Sequence, residues 1–404
     1  MTLTPSHRWR WPVIVLLAAL TVAGLTASPA KARAESRGTL LSALHVRSMS
    51  PANVKAELAG AKYDAGLTRF GVDLVRLTYR TIDPAGNPTI ATGLLALPKD
   101  GNRTLRTVVY THGTQVYRAD APSVTQDGWE LGPPLTYATV GFAAVAPDYL
   151  GLGAGPGTHP WQDVRSETTA SIDLLRAARS YVAGRGRQLS HDVYVTGFSQ
   201  GAAAAIGVAT ALGRDGDGWF RVGAAAPVSG AYHWRNIELP ALLGGKLDPT
   251  WSVAYVAYFV VTWNRLHPFY SHPGEVFRDP AVAALFDGLR PGKDILPALP
   301  RTIETLLTPH GLDVLQRPTG ALAAAMAAHD NLCAEWKPTA PTRLYYAAGD
   351  EQVLTTNTSE CLDAVRTAGS TRVTSVDLGK VSHLDSNVKA TAAIARWFRQ
   401  LAPA

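Results

Sequence analysis

From about residue 71, short apolar runs rich in β-branched and aromatic residues alternate with stretches of helical character. This alternation is typical of a mostly parallel sheet with helices packed on both of its faces. We predict an α/β fold class with eight strands, and helices that include residues 167–182, 202–208 and 390–401. The predicted strands cover residues 72–81, 90–97, 107–111, 142–146, 193–196, 222–227, 343–347 and 373–377.

The alternation stops between about residues 232 and 341, where the sequence becomes helical, aromatic and rich in proline. We interpret this segment as a helical cap inserted into the sheet domain. The sheet domain itself then consists of residues 71–231 and 342–404, and residues 35–70 form an N-terminal extension. Within the cap, spacings of three and four place Trp251, Tyr255, Tyr258 and Phe259 of the run 251–270 on one helical face. Such a stripe usually packs in a core, but a cap over a catalytic sheet edge also needs some side chains that line a pocket.

A glycine-boxed serine follows the fifth predicted strand, in the sequence GFSQG at residues 197–201. A sharp turn from strand to helix at Ser199 would hold its hydroxyl group clear of the backbone. Gly197 and Gly201 lack the Cβ atoms that would clash in so tight a bend. The following helix would direct its positive N-terminal end toward an anion that forms at the hydroxyl. Ser199 is therefore the candidate nucleophile.

Two further candidates follow the last two predicted strands. Asp350 ends the penultimate strand, and His383 lies in the loop between the last strand and the closing helix. Imidazole has a pKa near working pH, which makes His383 the candidate general base, and a buried carboxylate at Asp350 would fix its tautomer. Asp377 and Asp385 compete with Asp350, but Asp377 lies within a strand and Asp385 is too close to His383 in sequence. The chain order serine, aspartate, histidine is that of α/β-hydrolases.

A third strand end, VVYTHGTQ at residues 108–115, is where this fold places one half of an oxyanion hole. The other half is the backbone N–H of the residue after the nucleophile, Gln200. We expect Thr114 N–H to be the second donor, with Gln115 N–H as the alternative.

Three nearby polar residues are assigned structural functions. We expect His112 to be buried and hydrogen-bonded beside the oxyanion hole. Asp148 and Tyr149 follow the fourth strand, and we expect them to brace the active-site loops by accepting hydrogen bonds and by packing.

The N-terminus has the pattern of a secretory signal. Residues 7–11 carry two arginines, residues 12–25 are an apolar run, and small residues at Ala32 and Ala34 favour cleavage after Ala34. A retained membrane anchor is the alternative, although the run is shorter than the roughly 20 residues of a spanning helix. The first 34 residues hold four basic residues and no acid, so cleavage lowers the net charge from +6 to about +2. Without another dense basic cluster, a nucleic-acid partner is not supported.

The chain contains two cysteines, Cys333 and Cys361. In an exported protein an even pair predicts a disulfide, and two buried free thiols are the alternative. Two cysteines cannot form a structural zinc site unaided, and no HExxH motif is present.

The chain resembles α/β-hydrolases, and within them secreted lipases and esterases of the secretory-lipase type. The segments that carry the resemblance are YTHGT, PDYLGLG, HPW, GFSQG, AAGDEQV and SHLD, spread over residues 71–400. The resemblance implies hydrolysis of a small-molecule or lipid ester through an acyl-serine, without a metal or organic cofactor. It also implies transient contact with lipid interfaces, and it does not specify an oligomeric state.

The same catalytic residues serve ester and amide hydrolysis, so two other functions stay open. A peptidase or aminopeptidase would carry an anchor for a peptide terminus in the cap, for which Glu238, Asp248 and Glu275 are candidates. An exported binding protein that has lost its chemistry is the third candidate, and the intact serine, aspartate, histidine and His-Gly elements argue against it.

Overall fold

A nine-stranded sheet forms the centre of the protein in the computed structural model, which describes residues 1–2, 37–214 and 217–402. The predicted signal segment falls almost wholly outside the described residues. The strands are β1 (Leu40–Met49), β2 (Val72–Ile82), β3 (Pro88–Pro98), β4 (Thr104–Thr111), β5 (Phe142–Pro147), β6 (Gln188–Phe198), β7 (Arg221–Val228), β8 (Thr342–Tyr346) and β9 (Val373–Asp377). Their order across the sheet is β1-β2-β3-β5-β4-β6-β7-β8-β9.

The pairing confirms a mostly parallel sheet. Across the sheet, each pair of neighbours in the order β5-β4-β6-β7-β8-β9 runs parallel. Each pair of neighbours in the order β1-β2-β3-β5 runs antiparallel. Strands β2 and β3 form a hairpin, closed at Ile82 and Pro88. Because β4, β6, β8 and β9 are parallel, their carboxyl ends, which carry the candidate residues, meet along one edge of the sheet.

The eight predicted strands correspond to β2–β9, and β1 is a ninth strand that the sequence analysis does not predict. Strand β1 lies in the segment interpreted as an N-terminal extension and pairs with β2 alone, at the edge of the sheet. Most of its side chains are exposed, and its register with β2 shifts at two places. Both features remove the regular alternation of buried and exposed residues by which a strand is recognised.

Together with short 3-10 and π-helical segments, thirteen α-helices lie among the described residues. They are α1 (Pro51–Gly60), α2 (Gly128–Thr139), α3 (Val164–Ala183), α4 (Gln200–Arg214), α5 (Leu239–Leu243), α6 (Pro249–Leu266), α7 (Gly292–Ile295), α8 (Ile303–Leu306), α9 (Pro309–Gln316), α10 (Gly320–Asp330), α11 (Leu332–Glu335), α12 (Thr356–Thr367) and α13 (His383–Leu401). None of them is both long enough and apolar enough to cross a membrane.

Helices cover both faces of the sheet, as predicted. One face buries apolar side chains of α1, α2 and α13, and the other buries those of α3 and α4. Between β7 and β8, helices α5–α10 pack around a further hydrophobic cluster, which includes Trp234, Phe259, Phe277 and Leu306. A disulfide between Cys333 of α11 and Cys361 of α12 joins the end of this segment to the helix that follows β8, and the cysteine pair is bonded as the sequence predicts.

Candidate active site

Ser199 lies between β6 and α4, where strand turns into helix. Its φ is +56°, a left-handed conformation that a non-glycine residue rarely adopts. A Cβ atom at Gly197 would lie 2.0 Å from Thr111 Oγ1, and one at Gly201 would lie 2.0 Å from Thr111 O. The two glycines are therefore required by close packing against the end of β4, as the motif indicates.

The structure brings Ser199, His383 and Asp350 together. His383 Nε2 lies 2.9 Å from Ser199 Oγ, and His383 Nδ1 lies 2.8 Å from Asp350 Oδ2. A carboxylate accepts only, so Nδ1 carries the proton and Nε2 is free to accept from the serine hydroxyl. The backbone N–H groups of Gln352 and Val353 both donate to Asp350 Oδ1, at 3.0 and 2.9 Å, which holds the carboxylate in this orientation.

The two competing aspartates have local functions instead. Asp377 Oδ1 accepts a hydrogen bond from Gly379 N at the turn after β9. Asp385 Oδ2 accepts from the hydroxyl of Ser382, which in turn caps the N-terminus of α13 by accepting from Asp385 N. Because this cap starts α13 earlier than the sequence predicts, His383 is the first residue of the helix and does not lie in a loop.

Glu351 also contacts the histidine, and sequence reasoning did not single it out. Its Oε2 accepts a hydrogen bond from the backbone N–H of His383 at 3.0 Å. The hydroxyl of Ser386 donates to the carbonyl oxygen of His383 at 2.6 Å. The histidine backbone is thus fixed on both sides. The position of Glu351 next to Asp350 is the one feature of the sequence that could have identified it as a contact of His383.

The expected oxyanion donors lie in the loop after β4 and at the start of α4. Thr114 lines the cavity above the serine, and Gln200 is the first residue of α4. No group in the described part of the chain accepts a hydrogen bond from the backbone N–H of either residue. The Thr114 hydroxyl accepts from Trp161 Nε1 at 3.0 Å, so the loop that carries Thr114 is tied to a buried tryptophan.

A buried polar network holds the side chain of Gln200, and its members were not identified from the sequence. Gln200 Nε2 donates to Glu167 Oε1 at 2.6 Å and to His159 Nε2, 2.9 Å away. His159 Nδ1 donates to the carbonyl oxygen of Leu150, which leaves Nε2 as an acceptor. Burial lowers the pKa of His159 to about 3 and raises that of Glu167 to about 8, so both are uncharged at neutral pH.

His112, Asp148 and Tyr149 have the structural contacts that the sequence predicts. His112 Nδ1 lies 2.7 Å from Gly113 O, and burial lowers its pKa to about 4. Asp148 is fully buried and accepts hydrogen bonds from the backbone and hydroxyl of Ser123 and from the Thr92 hydroxyl. Tyr149 donates from its hydroxyl to His112 O, and its ring packs against that of His112.

A cavity of about 280 Å³ opens above Ser199 and His383. Trp129, Phe198 and Leu384 line one side of it. The segment between β7 and β8 contributes the opposite wall, with Trp251, Tyr255, Tyr258, Phe286, Ile295 and Leu296. Of the predicted aromatic stripe, Trp251, Tyr255 and Tyr258 therefore line the cavity, whereas Phe259 is fully buried against Trp234.

The three carboxylates considered as anchors for a peptide terminus do not line this cavity. Glu238 accepts from Asn357 Nδ2 at 2.8 Å, and burial raises its pKa to about 8. Asp248 caps the N-terminus of α6, and Glu275 accepts from the backbone N–H groups that precede a short helical turn. Each therefore accepts hydrogen bonds from other groups of the protein.

No family model and no curated protein matches the sequence. Among solved structures, a candidate hydrolase from Legionella pneumophila matches with 26% identity and a TM-score of 0.82, covering 90% of this chain and 98% of that one. The rice cell wall degrading esterase LipA from Xanthomonas oryzae matches with 27% identity and a TM-score of 0.77, over the same shares of the two chains.

Candida antarctica lipase A matches with 14% identity and a TM-score of 0.63, covering 90% of this chain and 82% of the lipase, and so bears on the fold alone. The strand order, the serine turn between β6 and α4, and these neighbours agree with one another. The chain therefore has the α/β-hydrolase fold, in the form found in lipases and esterases.

Proposed function

We propose that this chain is an exported serine hydrolase that cleaves carboxylic esters through an acyl-serine intermediate. The observation that carries the proposal is the continuous hydrogen-bonded arrangement of Ser199 Oγ, His383 and Asp350 beneath an aromatic cavity. The esterase LipA, which matches this chain over nearly all of its own length, supports the choice of reaction.

In the proposed reaction, His383 Nε2 takes the proton of Ser199 Oγ as the oxygen attacks the ester carbonyl carbon. Asp350 holds the resulting imidazolium without accepting its proton. The tetrahedral oxyanion accepts hydrogen bonds from the N–H groups of Thr114 and Gln200. Collapse of this intermediate returns the proton from His383 to the leaving alcohol, and the acyl group stays on Ser199. Water then attacks the acyl carbon as His383 Nε2 takes its proton, and collapse of this second intermediate breaks the bond to Ser199 Oγ, returns the proton to that oxygen and releases the acid.

The acyl group is proposed to occupy the aromatic cavity. Its walls are mainly apolar, and residues between β7 and β8 supply eight of its twenty lining residues, which supports the interpretation of that segment as a cap over Ser199. Its volume, about 280 Å³, is near the lower end for small-molecule sites. Each buried methylene contributes up to about 0.8 kcal/mol, or roughly fourfold in specificity, until the cavity is filled.

Export is the remaining part of the proposal. The disulfide between Cys333 and Cys361 supports an oxidising compartment, since such bonds rarely persist in the cytosol. The basic and apolar residues before Ala34 supply the expected signal.

The test is catalytic efficiency across nitrophenyl esters from acetate to palmitate, with peptide nitroanilides measured alongside. We expect kcat/KM to rise with acyl length and then level off, and the esters to be cleaved faster than the amides. A steady fall from acetate onward would assign a short-chain esterase, and faster amide cleavage would assign a peptidase.

A further inference from the structure

The cavity above Ser199 carries two carboxyl groups on one side. Asp120 and Glu130 line it, together with the amide side chain of Gln115. Among the described residues that line it there is no Lys or Arg. No ion pair within residues 37–214 and 217–402 involves Asp120 or Glu130.

Burial of these carboxyl groups without a cationic partner raises the pKa of Glu130 to about 8 and raises that of Asp120 as well. A cation that binds between them would favour the ionised forms and would be attracted more strongly than in water.

Gln115, whose side chain interacts with Glu130, provides a second observation. It is 4% exposed, its Nε2 donates to Asp120 O at 3.0 Å, and its Oε1 is buried with no hydrogen-bond partner among the described groups. Tyr258 donates from its hydroxyl to Gln115 O at 3.1 Å, which fixes this residue against the opposite wall. A buried acceptor without a donor costs free energy unless a ligand supplies one.

We propose that Asp120, Glu130 and Gln115 form a subsite for a positively charged group of the ester substrate. The proposal rests on the proposed function and specifies its substrate class. Carboxylates and an amide oxygen attract a cation or its N–H donors, and the rings of Trp129 and Trp251 line the same cavity and offer aromatic faces. The same groups disfavour a substrate that carries a carboxylate.

The first test compares matched esters that differ only in charge. One pair places the charge on the alcohol, with a choline ester against its 3,3-dimethylbutyl analogue. The other places it on the acyl group, with nitrophenyl 4-(trimethylammonio)butyrate against nitrophenyl 5,5-dimethylhexanoate. We expect the cationic member of at least one pair to have a kcat/KM about tenfold higher, and this ratio to fall at least fivefold in Glu130→Gln and in Asp120→Asn.

Glu360→Gln, which removes one exposed carboxylate on α12, is the control and should keep the wild-type ratio. A ratio of kcat/KM for cationic over neutral ester that is near one for both pairs in the wild-type enzyme overturns the proposal. So does a ratio that is unchanged in both Glu130→Gln and Asp120→Asn.

A second test does not require turnover and so separates this proposal from the proposed function. Binding of tetramethylammonium, with tert-butanol as the uncharged control, is measured by calorimetry in Ser199→Ala and in Ser199→Ala with Glu130→Gln. Saturable binding of the cation that weakens about tenfold in the double variant supports the subsite even if no ester is cleaved. Equal binding by both proteins, or none by either, overturns it. Should Glu130→Gln fail to fold, Asp120→Asn takes its place.

Discussion

Glu167 Oε1 accepts a hydrogen bond from Gln200 Nε2 at 2.6 Å, so a buried carboxyl group on α3 fixes the side chain of the residue that follows Ser199. His159 holds the same amide from its other side. Because the Gln200 backbone N–H is a proposed oxyanion donor, both residues are positioning residues in this proposal.

Replacing Glu167 with alanine frees the Gln200 side chain, and we predict that kcat falls roughly 10- to 100-fold while KM changes little, since the donor acts mainly in the transition state. Glu167→Gln keeps an acceptor oxygen and should recover most of kcat. Steady-state kinetics with one nitrophenyl ester checks both. Equal rates for wild type and Glu167→Ala, or equal losses in the two variants, would contradict the assigned function.

Glu167 also makes stability depend on pH. Its pKa in the folded protein is about 8, against an ordinary value of 4.5, so between these values the unfolded chain has lost a proton that the folded protein keeps. Stability therefore falls as pH rises through this range, by on the order of a few kcal/mol. We predict that Glu167→Gln loses less Tm between pH 5 and pH 8 than wild type, with exposed Glu360→Gln as control. The same pH-dependent loss in all three proteins would exclude a buried neutral Glu167.

The three aspartates near His383 are separated by their contacts. Only Asp350 contacts the imidazole, whereas Asp377 and Asp385 bond within their own turns. We predict that Asp350→Asn lowers kcat by about 10⁴-fold, because the amide favours the wrong tautomer of His383. Asp377→Asn and Asp385→Asn should stay within about tenfold of wild type. A large loss in either of these, with Asp350→Asn active, would reassign the carboxylate.

The disulfide joins α11 to α12 and closes a loop between positions 28 residues apart. In the chain-entropy model such a loop contributes about 3–4 kcal/mol, so we predict that replacing both cysteines with serine lowers Tm by several degrees. Thermal unfolding of the variant and of wild type treated with reductant measures this. No change in Tm in either sample would mean that the bond does not constrain the unfolded chain.

Much of the fold follows from local patterns. Strands β2–β9 are apolar runs bounded by turn residues, and the sequence predicts each of them at nearly its observed place. The first residues of β6 are mostly polar and partly exposed, so the sequence predicts a later start for this strand than the structure shows. The edge strand β1 has neither alternation nor burial, so no local signal marks it.

The candidate site likewise contains residues that the sequence predicts and residues that it does not. Ser199, Asp350 and His383 follow strand ends, and the topology of a parallel sheet predicts that such ends meet. Glu130, Glu167 and His159 come from a helix, another helix and a loop, and only the packing of these elements brings them to the cavity or to Gln200. Their residue types carry no local pattern that separates them from other buried polar groups.

The proposal that Ser199 is the nucleophile is tested by covalent labelling with a fluorophosphonate, followed by mass spectrometry of the digested protein. We predict a single adduct on the peptide that contains Ser199, slower labelling in His383→Ala, and no adduct in a folded Ser199→Ala protein. Labelling of Ser199→Ala at the wild-type rate, or an adduct on a different residue of the wild-type protein, would contradict the proposed mechanism.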